Sequence, residues 1–140
     1  MGFLYLDASA FLKLYLPEPD SADIGGRIAG RKDVAVSDLT LTEAVSALAR
    51  RHREQRITLE AASKVYQEMM SHLRSGAFEH LEVAPSAFRE AERLMLSGLP
   101  LRTGDSLHLA VAVVAEAQSI ATFDRQLGAA ARTVGLDVLP

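Results

Sequence analysis

The sequence predicts one α/β domain over residues 1–140, with a central, mainly parallel sheet of four to five strands between two layers of helices. Short apolar runs alternate with helical patterns along the whole chain, which is typical of parallel strands joined by right-handed crossovers. The first run, residues 2–6, is apolar throughout, as in a strand buried on both faces. Residues 104–117 are apolar on nearly all sides of a helix, as in a buried helix.

Proline and glycine bound the first elements of the chain. A helix over residues 8–16 follows the first strand and is broken by Pro17. A second helix over 20–30 ends at Gly30, where a residue without a side chain suits a helix terminus. The apolar segment 34–37 is short and predicts the second strand.

Two amphipathic helices are predicted over residues 39–55 and 58–75, and Gly76 ends the second of them. Each carries apolar residues at helical spacing on one face: Leu41, Ala44, Val45 and Leu48 in the first, and Leu59, Ala62, Tyr66, Met69 and Leu73 in the second. We therefore expect these helices to pack as a hairpin.

The second half of the chain continues the alternation. Its predicted elements are a strand at 80–83, a helix from Pro85 to Gly98, a helix at 104–117, a strand at 119–123, a short helix from Asp124 to about Gly128 and a strand within 134–139. Pro85 suits the first turn of a helix, and Asp124 suits an N-cap.

Composition excludes several classes of site. The chain has no cysteine, which excludes disulfides, cysteine-ligated metals and thiol catalysis and fits a reducing compartment, so we expect a cytoplasmic protein. Its four histidines include no His-x-x-x-His pair, so a metal would have to be held by carboxylates. No apolar run is long enough to span a membrane, and the first sixteen residues do not have the pattern of a signal peptide.

Four carboxylates stand at the predicted ends of elements. Asp7 and Asp124 directly follow strands, and ligands of open α/β sheets bind beyond the carboxyl ends of the strands. Asp105 and Glu43 are predicted in the first turns of helices. If those helices begin at the same edge, four acids from four segments meet in one cleft.

Local explanations exist for three of the four acids. Asp124 can cap a helix, Asp105 can complement a helix dipole, and Glu43 can form a capping box with Thr40 and turn toward solvent. Asp7 has no such local explanation.

Carboxylates about 5 Å apart repel by roughly 3 kcal/mol per pair at an effective dielectric constant near 20, so clustering favours a divalent cation such as Mg²⁺ or Mn²⁺.

The segments around these acids resemble those of PIN-domain nucleases, in particular VapC-type toxins of bacterial type II toxin–antitoxin pairs. The similar segments are Tyr5-Leu-Asp-Ala-Ser-Ala10 with Tyr15-Leu-Pro-Glu-Pro19, Leu41-Thr-Glu-Ala44 with Leu48, Gly104-Asp-Ser-Leu-His-Leu-Ala110 and Ala121-Thr-Phe-Asp-Arg-Gln-Leu127. They cover nearly the whole chain in the family's order. Ser106 stands where the family often has alanine.

The resemblance implies a PIN-like three-layer sandwich and a Mg²⁺-dependent endoribonuclease, with Mn²⁺ as a possible substitute. It implies that the catalytic and metal-binding residues are Asp7, Glu43, Asp105 and Asp124, supported by Ser9 and Thr122. By the same analogy, Asp7 and Asp105 ligate the metal directly, whereas the other two acids act through water. The implied partners are an RNA substrate, an antitoxin protein and a second copy of the chain in a homodimer, with no membrane.

Two further features carry predictions of their own. Arg50, Arg51 and Arg53 form a basic run at a helix C-terminus, which predicts either a solvated helix end or contacts to the RNA backbone. His108 lies one helical turn after Asp105, either as a core histidine or as a partner of that acid.

Other functions remain open at this point. A PIN-like domain could process RNA without an antitoxin, and the same fold could serve as a non-catalytic binding module. A phospho-acceptor signalling domain is disfavoured because residues 134–140 contain no lysine at the last strand. A dinucleotide-binding domain is disfavoured because residues 7–10 contain no glycine to admit a pyrophosphate.

Overall fold

A computed structural model describes residues 2–140 and contains five strands and seven helices in this part of the chain. The strands are β1 (Leu4–Leu6), β2 (Val34–Ser37), β3 (Glu79–Leu81), β4 (Ser119–Ala121) and β5 (Asp137–Leu139). The helices are α1 (Ala8–Leu12), α2 (Ser21–Ile28), α3 (Asp38–Arg53), α4 (Leu59–Arg74), α5 (Pro85–Leu96), α6 (Thr103–Val114) and α7 (Arg125–Thr133). The predicted order of elements is confirmed.

All strand pairs are parallel, and the sheet order is β3-β2-β1-β4-β5. The strands β2 and β3 therefore lie on one side of β1, and the chain then returns to add β4 and β5 on the other side. In open parallel sheets, the crevice at such a reversal is the usual place for a ligand. Here that crevice lies at the carboxyl ends of β1 and β4.

Helices cover both faces of the sheet, which confirms the predicted three-layer arrangement. Successive side chains of β1 point to opposite faces. Leu4 and Leu6 pack with buried side chains of α1 to α4, whereas Tyr5 packs with those of α5 to α7. Both cores contain fully buried aliphatic side chains, so the central strand β1 is apolar at every position, whereas the edge strands β3 and β5 carry exposed polar residues.

Several predicted boundaries are corrected by the structure. The helix predicted over 8–16 ends at Leu12, and the last helix continues through Gly128 to Thr133. A glycine inside a helix costs only about 1 kcal/mol relative to alanine. Burial of Ala130 and Ala131 against the core offsets this cost.

The predicted hairpin of α3 and α4 forms, but part of its apolar surface is not buried. Val45, Leu59 and Tyr66 were predicted on the buried faces, yet their side chains are 37%, 61% and 43% exposed. The helical spacing is right, but the rest of residues 2–140 covers these positions only in part. Within the same residues, no helix is long and apolar enough to cross a lipid bilayer.

Candidate active site

A cleft of about 420 Å³ opens at the carboxyl edge of the sheet beside β1. All four predicted acids line it: Asp7, Glu43, Asp105 and Asp124. They come from the junction of β1 with α1, from α3, from α6 and from the residue before α7. The fold thus brings together side chains that are distant in sequence.

Asp7 is buried and is held by three donors. Its Oδ1 accepts hydrogen bonds from Ser9 Oγ at 2.7 Å and from the backbone N–H of Ala10 at 2.9 Å, and its Oδ2 accepts one from Thr122 Oγ1 at 2.5 Å. The bond from Ala10 makes Asp7 the N-cap of α1, so this acid does have a local structural role, contrary to the sequence prediction. A carboxylate offers about four acceptor directions, and one therefore remains for another partner.

Ser9 and Thr122 connect the segment after β1 with the segment after β4. Ser9 Oγ also accepts from the backbone N–H of Phe123 at 2.9 Å, and Thr122 Oγ1 accepts from that of Asp124 at 3.0 Å. Each hydroxyl thus bridges Asp7 to the segment after β4. Their predicted position as supports for the acids agrees with this geometry.

Asp124 caps α7 and also faces the cleft. Its Oδ1 accepts from the backbone N–H of Leu127 at 2.9 Å. Its Oδ2 receives no hydrogen bond within residues 2–140. One oxygen is therefore used by the fold, while the other is available to a ligand.

Asp105 is half-buried, and no donor within residues 2–140 bonds to its side chain. Burial is the largest cause of its raised pKa, and the negative charges of Asp124, Glu43 and Asp7 add to this effect. His108 acts in the opposite direction. The negative charges of the other three acids thus act on Asp105, and this position favours a positively charged partner.

Glu43 lies in the second turn of α3, because the helix begins at Asp38 and not one residue later as predicted. The predicted capping box of Thr40 with Glu43 is also wrong. Ser37 and Thr40 form the capping box, which leaves Glu43 without a capping role. Its Oε1 lies 2.5 Å from Nε2 of His108, and its side chain is 39% exposed, so it faces the cleft.

Basic side chains line one wall of the same cleft. Arg50 and Arg51 belong to it, whereas Arg53 of the predicted run does not. Arg51 Nη2 pairs with Glu18 Oε2 at 2.8 Å. Lys13 also lines this wall and was not predicted, because a lone lysine in an apolar segment gives no sequence signal.

The donor set of the cleft fits a hydrated divalent cation. The four predicted acids of the cleft supply hard oxygen ligands, as Mg²⁺ and Mn²⁺ prefer, and a fifth acid, Glu18, lines it but pairs with Arg51. In the described part of the chain, no three His, Asp or Glu side chains converge closely enough to hold one ion. Mg²⁺ usually keeps several waters and binds through one or two carboxylates, which such an open arrangement allows.

Comparison with known proteins agrees with this fold and site. A model of the PIN domain matches residues 4–133, which is most of the chain. The chain belongs to the PIN domain family. This confirms the family that the sequence motifs indicated. PIN domains are nucleases, so the match supports an enzyme that hydrolyses nucleic acids.

Solved structures place this PIN domain among similar folds. PAE2754 from Pyrobaculum aerophilum is 27% identical, with a TM-score of 0.72 over 98% of this chain and 83% of that one. VapC20 from Mycobacterium tuberculosis, described as a sarcin-ricin loop cleaving toxin, is 18% identical, with a TM-score of 0.71 over 91% and 94%. A toxin–antitoxin complex from Klebsiella pneumoniae is 17% identical, with a TM-score of 0.62 over 98% and 96%. The last two structures show the shared fold. A separate comparison with curated proteins found no significant match to the sequence.

Proposed function

We propose that this PIN domain is a Mg²⁺-dependent endoribonuclease and the toxin of a toxin–antitoxin pair. The observation that carries the proposal is the convergence of four carboxylates from four segments in one cleft: Asp7, Glu43, Asp105 and Asp124. The raised pKa of Asp105 supports a site that attracts a cation. An RNA substrate is supported by the RNA-cleaving description of a protein with the same fold.

Each acid has a role that its surroundings suggest. Asp105 would hold Mg²⁺ or Mn²⁺ directly, since no protein donor occupies its oxygens, and Asp7 would use its one remaining acceptor direction. When bound, the cation supplies an acidified water and neutralises charge on the reacting phosphate. Glu43 and Asp124 each keep an oxygen that can accept a proton or orient water beside the phosphate.

The basic wall would bind the RNA backbone. Arg50 lies beside the acids, where it can contact a phosphate. Lys13 lines the same wall, but its Nζ donates to the carbonyl oxygen of Pro19 at 2.9 Å and lies 3.8 Å from Glu18 Oε1, so it would have to leave these partners to contact a phosphate. Arg51 would bind RNA only after exchanging its partner Glu18 for a phosphate. Arg53 remains a prediction of the sequence, since it lies outside the cleft.

An antitoxin partner and a homodimer are part of the proposal. The antitoxin is supported by the fold shared with a toxin–antitoxin complex. The exposed apolar side chains of α3 and α4 are compatible with a protein partner. Light scattering of the purified chain would measure the oligomeric state.

The absence of cysteine fits the cytoplasm as the compartment where such partners meet.

Removal of divalent metal is the first test. We expect total RNA to be cut in the presence of Mg²⁺ or Mn²⁺ and to remain intact after EDTA treatment, with activity restored by excess Mg²⁺. Steady cleavage in EDTA would contradict the proposal. If the chain instead binds RNA without cutting it and gains no thermal stability from Mn²⁺, the non-catalytic alternative is favoured. Cleavage by a chain that no antitoxin inhibits would favour an RNA-processing role.

The glycine before Asp105 provides a second test, which probes the position of Glu43. A Cβ atom at Gly104 would lie 2.6 Å from Glu43 Oε2, so Gly104→Ala should displace this flexible side chain and leave the backbone of α6 intact. We expect cleavage to fall by about 10- to 100-fold, as misplaced catalytic groups do. Thermal unfolding should show no loss of stability, because alanine is the better helix former.

Gly25→Ala is the matched control for that test. Gly25 also lies inside a helix, and a Cβ there meets no atom within 4 Å. The control should raise helix stability without affecting cleavage. Equal activity in the two variants would show that the position of Glu43 does not matter to the reaction.

A further inference from the structure

A buried chain of polar side chains runs from the core to the cleft and ends on Glu43. His108 Nε2 lies 2.5 Å from Glu43 Oε1, and His108 Nδ1 lies 2.8 Å from the hydroxyl of Tyr5. That hydroxyl lies 2.8 Å from Ser37 Oγ and 3.2 Å from Thr40 Oγ1. The side chains between Glu43 and the core are all nearly inaccessible, with exposures of 0–1%.

For a neutral imidazole at His108, the available protons fit one direction along this chain. Thr40 Oγ1 donates to the carbonyl oxygen of Leu6 at 2.9 Å, so Ser37 is the hydroxyl that can donate to Tyr5. Tyr5 can then donate to His108 Nδ1, and the proton on His108 Nε2 points at Glu43, because a carboxylate offers only acceptors. The core thereby selects the histidine tautomer that holds the acid.

The arrangement has a consequence for the reactive end of Glu43. A glutamate has three side-chain torsions, and ordering them costs conformational entropy. The bond to His108 fixes one oxygen, and the other oxygen then lies over Gly104, next to Asp105. Without that bond a side chain that is 39% exposed would sample solvent.

We propose that His108 is a positioning residue for Glu43 and that Tyr5, Ser37 and Thr40 fix its orientation from the core. This inference rests on the proposed function, because it assigns His108 to the same metal-dependent site. A histidine that served packing alone would need no carboxylate partner at the surface. Here its Nε2 instead contacts an acid of the cleft, and His108 itself lines that cleft.

The direct test measures Mn²⁺ affinity by calorimetry for His108→Leu and His108→Gln. In the proposed site Glu43 holds the ion through water, so loss of the donor in His108→Leu should weaken Mn²⁺ binding by about 10-fold, the lower end of the range for residues that orient metal ligands. Glutamine carries an amide N–H near the position of Nε2, so His108→Gln should recover most of the affinity. Cleavage should follow the same order.

Tyr5→Phe tests the inference even if a His108 variant does not fold. It removes the hydroxyl that selects the tautomer but keeps the buried ring, and Ser37 and Thr40 remain paired with each other. We expect Mn²⁺ affinity to fall by roughly fivefold, the factor for one hydrogen bond. In ¹⁵N spectra of the wild type, His108 should be protonated at Nε2, and this preference should weaken in the variant.

Tyr15→Phe is the matched control. Tyr15 makes the same kind of bond, from its hydroxyl to His72 Nδ1 at 2.7 Å, but neither residue lines the cleft. It should lower stability about as Tyr5→Phe does while leaving Mn²⁺ affinity unchanged. Equal Mn²⁺ affinity in wild type, Tyr5→Phe and the folded His108 variants would overturn the inference and leave the nuclease proposal intact. Absence of Mn²⁺ binding and RNA cleavage in the wild type would overturn both.

Discussion

Asp7→Asn is expected to abolish metal-dependent RNA cleavage, with a loss of at least about 10³-fold. That loss corresponds to about 4 kcal/mol of transition-state stabilisation. The amide removes the negative charge that a cation needs, and its N–H₂ group has to replace the oxygen that accepts from Thr122. Stopped assays of RNA cleavage over a range of Mg²⁺ concentrations would measure the loss.

The same change should also destabilise the fold modestly. Asp7 accepts from a serine hydroxyl, a threonine hydroxyl and a backbone amide, and bonds to a charged acceptor are each worth about 1.5–3 kcal/mol. Asparagine keeps most of these bonds, so we expect a net cost of about 1–2 kcal/mol. Asp137→Asn is the control, because Asp137 is exposed at the start of β5 and lies outside the cleft. Cleavage by the Asp7 variant at the control's rate would exclude Asp7 from the site.

Asp105→Asn is expected to have two opposite effects. It should abolish cleavage, since it removes the acid whose oxygens no protein group occupies, and it should stabilise the protein in EDTA. Burial and the charges of Asp124, Glu43 and Asp7 raise the pKa of Asp105, so its charged form destabilises the folded state. We expect a gain of at most about 1 kcal/mol, because solvent screens a half-buried group.

The pH dependence of this gain follows from the raised pKa. Between the unfolded value of 3.8 and the higher folded value, the folded state binds more protons, so wild-type stability falls as pH rises through this window. The gain from Asp105→Asn should therefore be full above the folded pKa and absent below the unfolded one. Thermal unfolding in EDTA at pH 7.5 and at the lowest pH where the protein stays folded would show the difference.

Added Mn²⁺ should reverse the order of stability. A ligand at 100 times its Kd stabilises a protein by about 2.7 kcal/mol, which only the wild type and Asp137→Asn should gain in full. Asp137→Asn has the same net charge as Asp105→Asn, so it separates the local repulsion from the overall charge. A lower melting temperature for Asp105→Asn in EDTA would show that Asp105 stabilises the fold and does not belong to a repulsive cluster.

The sequence predicted the positions of Asp7 and Asp124 because their placement follows from local rules. Asp7 directly follows the buried strand β1 and therefore has to lie at the carboxyl edge of the sheet. The strand predicted over 119–123 ends at Ala121, so Asp124 follows β4 only after two further residues, but it lies at the same edge. The strand order then brings β1 and β4 together, and the two acids with them. Glu43 and Asp105 were also predicted from their place near the starts of helices, but helix position alone does not distinguish them from ordinary surface acids, so the family motifs were needed to support them.

The surroundings of Glu43 could not be predicted in the same way. Ser37 and Thr40 can both serve as an N-cap, but only Thr40 has an acid three residues later, so the capping-box pattern favoured the wrong N-terminus; the choice depends on where β2 ends. The contact of Glu43 with His108 joins residues 65 positions apart. Such a contact depends on how α3 and α6 pack across the sheet edge, and no local pattern in one sequence encodes it.

Two acids of this cleft also begin helices, and this decides how an inactive form of the protein should be made. Replacing Asp7 or Asp124 alters an N-cap together with a reactive group, and any residue other than a capping one would combine lost chemistry with a loosened α1 or α7. Asp105 caps no helix and bonds to nothing else in residues 2–140. For trapping uncut RNA in a crystal, or for expressing the chain without harm to its host, Asp105→Asn is therefore the variant whose architecture should stay closest to that of the parent.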